Sequence, residues 1–180
     1  MIHAATSRAP NPGARGTASA AVLAALMEAP KGPTEHAHQA AAVRRLRALE
    51  ALVPALAHLA AIPNGGKRTI AAAGQIRGEG GRGGLPDLVL PFPVRAFHGA
   101  WVEVKRPASP GYGPGRLEPE QREWLGQLTN NGYFTAVAWG CDAVCWAVGD
   151  YLGAPIARWL QLVPPKLVHS PGGWLEVRPA

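Results

Sequence analysis

Residues 83–105 read GGLPDLVLPFPVRAFHGAWVEVK. Two apolar runs here have strand character, 87–91 and 100–106, and residues 94–99 between them supply a turn. Both runs carry charge. Asp87, one of three aspartates in 180 residues, opens the first, and Glu103 and Lys105 interrupt the second. Side chains alternate along a strand, so Trp101, Glu103 and Lys105 share one face while Val102 and Val104 share the other. That leaves Glu103 and Lys105 about 7 Å apart at Cα, pointing the same way. Antiparallel pairing across the short connection would bring Asp87 to Glu103. Two carboxylates, a backbone carbonyl and water make an oxygen set that Mg²⁺ accepts, and a neighbouring lysine orients or deprotonates an attacking water. The same residues fit equally well a surface ion pair between Lys105 and an acid on an edge strand.

Around this stretch the order α-β-α-β-β-α-β-α is expected. Thr34 is placed to cap a helix whose apolar spacing runs through Val43, Leu46 and Leu49. A short strand is expected near 59–62, a turn at PNGGKR (63–68) and a short helix at 69–77, followed by the glycine-dense 78–84. PASPGYGPGR (107–116) reads as a mobile loop. Residues 118–130 read as a helix with Pro119 in its first turn and Gly132 just past its end. YFTAVAW (133–139) reads as a buried strand and CDAVCWAVGDYL (141–152) as the final helix. Residues 1–32 read as a Pro/Gly/Ala-rich flexible extension, with a short helix expected at 20–28. Residues 153–180 read as a proline-rich extension packed on the surface of the 33–152 domain.

Apolar content of 47% with 17% charge describes a globular chain. The net charge is +6, and arginine outnumbers lysine 14 to 4. Arginine forks suit a polyanionic partner, although codon usage in a GC-rich genome gives the same bias. Arg44, Arg45 and Arg47 spread around the first helix and read as a solvated face. Cys141 and Cys145 stand one helical turn apart, a poor geometry for a mutual disulfide. Without further cysteines they read as buried thiols of a cytoplasmic protein, in a bacterial cell or a phage-infected host. No apolar run is long enough to span a bilayer. The absence of GxxxxGK[ST] argues against a nucleotide cofactor.

The segments EHAHQ (35–39), IPNGGKR (62–68), GGLPDLVLP (83–91), HGAWVEVKRP (98–107), EPEQREWL (118–125), NGYFTAVAWG (131–140) and DAVCWAVGDYL (142–152) stand in one order. Together they resemble the VRR-NUC (virus-type replication-repair nuclease) domain of the PD-(D/E)XK nuclease superfamily. The resemblance spans about 33–152. It implies an α/β restriction-endonuclease-like core, a central mixed β-sheet flanked by helices. It also implies a Mg²⁺- or Mn²⁺-dependent deoxyribonuclease with DNA as its partner.

Laid on matching positions, the resemblance makes Asp87 and Glu103 metal-binding carboxylates, with the Val104 carbonyl as a further ligand. Lys105 becomes the catalytic lysine. Glu35 becomes an additional acid reaching the metal or its waters, although it is equally a dipole-favoured acid in a first helical turn. Gln121 becomes the glutamine that organises the site, and Gln39, one turn after Glu35, shares its face. In PNGGKR the glycines let backbone amides approach a phosphate while Lys67 and Arg68 add charge, which makes Asn64, Gly65, Lys67 and Arg68 DNA-contacting residues. Arg77, Arg82 and Arg106 extend a positive groove, and Trp101 is the tryptophan placed to meet substrate. His36 and His98 are expected near the site. Glu118 stands where the family often has a capping serine. Stand-alone members resemble Holliday-junction resolvases, which implies branched DNA and a homodimer. A flap- or nick-directed repair nuclease, a sequence-specific restriction-like enzyme and a non-catalytic DNA-binding module of the same fold are the rivals.

Overall fold

The computed structural model describes residues 30, 32–62, 74–75 and 78–180. PNGGKR and most of the helix expected at 69–77 therefore lie outside the described residues, as does the helix expected at 20–28.

Helix α1 (Glu35–Ala48) begins where the Thr34 hydroxyl accepts the Ala37 N–H at 3.1 Å, satisfying one of the donors a helix start leaves over. A 3₁₀ turn (Pro54–His58) leads into β1 (Ala60–Ala61). Then come β2 (Leu88–Leu90), β3 (Ala100–Lys105), α2 (Pro119–Asn130), β4 (Phe134–Trp139), α3 (Cys141–Leu152), α4 (Ile156–Trp159), β5 (Lys166–His169) and β6 (Leu175–Arg178). The six strands form one sheet in the order β1-β2-β3-β4-β6-β5. β3, β4 and β6 run parallel at its centre, while β1, β2 and β5 pair antiparallel towards its edges.

Alternation sorts the strand residues onto two faces. Leu88, Leu90, Val102, Val104, Ala136, Ala138 and Val177 join Leu46 of α1 and Val144 and Val148 of α3 in the larger core. Val137 and Trp139 face the other way and pack with Leu117, Leu125 and Trp174 under α2. Each fully buried Leu or Val contributes roughly 1.5–3 kcal/mol relative to exposure. Tyr151 closes the large core and donates its hydroxyl to the Phe92 carbonyl at 2.6 Å, so its polar end is satisfied.

Two expectations are corrected and one is refined. Residues 153–180 do not lie on the surface of a finished domain. They add α4 and two strands, and β6 pairs parallel with β4, burying Leu175 and Val177. Only two apolar residues of β6 alternate inward, too short a period to stand out among prolines and tryptophans. Arg45 is not part of a solvated face: it is buried and ion-paired with Asp142 of α3. The 107–116 loop contains no helix or strand, but Gly115 is tied on both sides. Its N–H donates to the Arg106 carbonyl and its carbonyl accepts the Trp139 indole N–H, both at 2.9 Å. Cys141 and Cys145 are buried free thiols, and burial pushes the Cys141 thiol up to about 11. No helix among the described residues is long and apolar enough to cross a membrane.

Candidate active site

The register fixes the site. Leu88 pairs with Val102 across the antiparallel β2–β3 ladder, so one step further Asp87 stands opposite Glu103. The chain reaches Asp87 through a close approach to α2. Gly84 has φ +81°, and a Cβ there would lie 2.9 Å from the Glu120 carbonyl carbon, which restricts the position to glycine. The Trp124 indole N–H donates to the Gly83 carbonyl at 3.0 Å. Asp87 itself is held at both ends. Its main-chain carbonyl accepts the Ile62 N–H at 2.7 Å, and its Oδ2 accepts the Val104 N–H at 2.9 Å.

Glu103 and Lys105 lie in the central strand β3, 1% and 3% exposed, so the pair is no surface salt bridge. Lys105 Nζ stands 2.8 Å from Glu103 Oε1 and 4.0 Å from Glu35 Oε1. Gln121 Nε2 donates to the same Glu103 oxygen, while its own Oε1 accepts the Glu118 N–H at 2.9 Å. The cap reciprocity at the start of α2 thus locks the amide that orients Glu103. The other Glu103 oxygen, Oε2, is buried with no hydrogen-bond partner. Glu35, half-buried in the first turn of α1, leans over the end of β3 against Gly115, where a Cβ would meet its carboxylate.

This burial has an electrostatic cost. Desolvation, then the Asp87 charge, push the Glu103 carboxyl up to about 8 against the pull of Lys105. Burial likewise raises Asp87, and the Val104 N–H and Lys105 oppose the rise. Among the described residues no three His, Cys, Asp or Glu side chains converge closely enough to hold a metal by themselves. The oxygen-rich corner is instead two carboxylates and a main-chain group. A strand residue's N–H and C=O point the same way, so the Val104 carbonyl faces the Asp87 side, past the end of the β2 ladder. An unpartnered buried carboxylate oxygen beside a second raised carboxyl fits a hard divalent cation, which would compensate both.

Glu35, Asp87, Glu103, Lys105 and Gln121 are thus brought together from α1, the β2 entry, β3 and α2. Arg106 follows Lys105 directly and its guanidinium lies 5.6 Å from the Tyr112 ring centroid. Arg82 is exposed in the loop before Gly84. Asn64, Gly65, Lys67, Arg68 and Arg77 lie outside the described residues. Trp101 is half-buried, on the Glu103 face, edge-on to Tyr133 at 6.5 Å. His36 is exposed beside Glu35. His98 is displaced from the site: it packs on Tyr133 at the amino end of β3, seven residues and roughly 20 Å before Lys105 at about 3.3 Å per residue. Sequence reading missed Gly84 and Gly115 as site-shaping residues. Their signal was a glycine two residues before the Pro86-Asp87 pair and another just before Arg116, indistinguishable there from ordinary loop composition.

The VRR-NUC domain family matches residues 36–142. A solved structure of a VRR-NUC domain protein is similar at 24% sequence identity and a TM-score of 0.54, over 68% of this chain and 91% of that one. That likeness supports the fold. No curated protein matches the chain.

Proposed function

The chain belongs to the VRR-NUC domain family, and we propose that it is a metal-dependent endonuclease that hydrolyses phosphodiester bonds of branched DNA. Membership makes the chain nuclease-like and DNA its partner. The observation that carries the finer reading is Glu103: a fully buried acid with one oxygen unpartnered, opposite Asp87, where burial raises both carboxyls and the Asp87 charge raises Glu103 further.

In this reading Asp87, Glu103 and the Val104 carbonyl hold Mg²⁺ or Mn²⁺, and Glu35 reaches its waters. The bound ion supplies charge neutralisation at the phosphate and a more acidic water. Lys105, fixed between Glu103 and Glu35, positions the attacking water and meets the negative charge that builds on the phosphoryl oxygens. Gln121 fixes the Glu103 rotamer so that Oε2 stays free of protein partners. One site per chain cutting two strands symmetrically calls for two copies, so the active species is a homodimer and four-way junctions rank ahead of flaps and nicked duplex.

The test is cleavage of four-way junction, flap, single-stranded and linear duplex DNA with Mg²⁺, Mn²⁺ or EDTA, with light scattering for the dimer. Cleavage with metal and none in EDTA is expected, with junctions cut fastest. No cleavage of any substrate, or an Asp87→Ala variant as active as the wild type, refutes the assignment.

A further inference from the structure

The carboxyl ends of the three parallel strands set Lys105, Trp139 and Arg178 in a row. Lys105 pairs with Trp139, and the next step of the Ala138–Val177 register puts Arg178 beside Trp139. The Arg178 guanidinium stacks over the Trp139 indole at 3.8 Å. At about 4.8 Å per strand, Lys105 and Arg178 stand about 10 Å apart at Cα. Between this row, the end of the 107–117 loop and the first turns of α2 lies a cleft of about 470 Å³. It is lined by Gly115, Arg116, Arg122, Trp139, Glu176 and Arg178.

The cleft and the catalytic cluster share a wall. Gly115 faces the Glu35 carboxylate, which a Cβ there would strike, and also lines the cleft. Glu118, also at the cleft, hands its N–H to the Gln121 that orients Glu103. The charges are divided. Arg178 is committed: it donates from Nε and Nη2 to Glu176 Oε2 at 3.2 and 3.0 Å, which with the Trp139 stack fixes its plane. Arg116 and Arg122 are exposed and make no ion pair with any described residue. Two exposed guanidiniums beside a fixed one, opening onto a phosphodiester-cleaving centre, match a run of backbone phosphates, which guanidinium forks bind bidentately.

We propose that this cleft anchors the DNA strand next to the scissile phosphate, with Arg116 and Arg122 each contacting a backbone phosphate and Arg178 providing the rigid floor. The inference rests on the nuclease reading above. It draws on Arg178, outside the family-matched 36–142 region, so the C-terminal strand would take part in substrate binding as well as in folding.

The test is binding of a fluorescein-labelled four-way junction and a 30-base-pair duplex by anisotropy, with Ca²⁺ replacing Mg²⁺, as a function of salt. Arg116→Ala/Arg122→Ala is compared with Arg95→Ala/Arg158→Ala, which removes equal charge from exposed positions away from the cleft. Losing two phosphate contacts lowers the slope of log K against log salt by about 2 and weakens binding on the order of tenfold. The control pair moves neither, and Arg116→Lys/Arg122→Lys restores most of the slope. A wild type that binds and cuts DNA, with the cleft variant unchanged in both measures or no different from the control, overturns the cleft and leaves the nuclease standing. A wild type that neither binds nor cuts DNA overturns both.

Discussion

Replacing Glu103 by Gln isolates the electrostatic strain that marks the site. In the folded chain the Glu103 carboxyl titrates near 8 instead of at its ordinary value of 4.5. Between those two values the unfolded chain has released the proton and the folded chain has kept it, so stability falls as pH rises through the window. The contribution is whole below about 4.5 and lost above about 8. At about 1.4 kcal/mol per pH unit the interval is worth at most about 5 kcal/mol. Water entering the site on ionisation reduces this to an expected loss of about 2–3 kcal/mol. Glu103→Gln keeps the shape and the hydrogen-bonding capacity of the protonated acid and cannot ionise. Denaturant unfolding in EDTA is measured from pH 4.5 to 9 for both proteins, so that groups common to both cancel in the difference. The variant is expected to match the wild type near pH 4.5 and to exceed it by about 2–3 kcal/mol at pH 8.5. Mg²⁺ should then stabilise the wild type at pH 8.5, by about 2.7 kcal/mol at a hundredfold excess over its Kd, and leave the variant unmoved. A pH-independent difference between the two refutes the claim that burial and Asp87 hold Glu103 protonated. Equal stabilisation of both by Mg²⁺ refutes Glu103 as a ligand.

Gly84→Ala should cost about 2–4 kcal/mol in chemical denaturation, because φ +81° strains any side chain and the new Cβ meets Glu120 backbone; a loss below 0.5 kcal/mol would mean that the loop is not clamped on α2. Gln121→Ala should cut the cleavage rate about 10–100-fold through a disordered Glu103, with circular dichroism unchanged, and unaltered turnover would remove Gln121 from the site. Deleting residues 161–180 strips β5 and β6 from the sheet and bares β4, so cooperative thermal unfolding should disappear; a truncated chain that melts like the full one would restore these residues to the status of an appendage.

Much of the central geometry was legible in the chain because it is local. Alternation alone put Glu103 and Lys105 on one face of β3 and the valines on the other, and the short link between 91 and 100 forced the pairing that sets Asp87 opposite Glu103. The α2 helix was equally legible, since Pro119 and Gly132 mark its limits and Glu118 proves able to start it through the Gln121 amide. Burial was not legible. A Glu-x-Lys pair reads the same on an edge strand as in the third of six strands, and strand order belongs to the whole sheet. Tertiary structure alone decided that β6 completes that sheet, that Arg45 answers Asp142 across 97 residues, that His98 lies at the wrong end of β3, that Gly84 must lack a Cβ and that Gly115 faces the Glu35 carboxylate. Each is a contact between segments far apart in sequence, and hydrophobic period and residue spacing carry information only about neighbours along the chain.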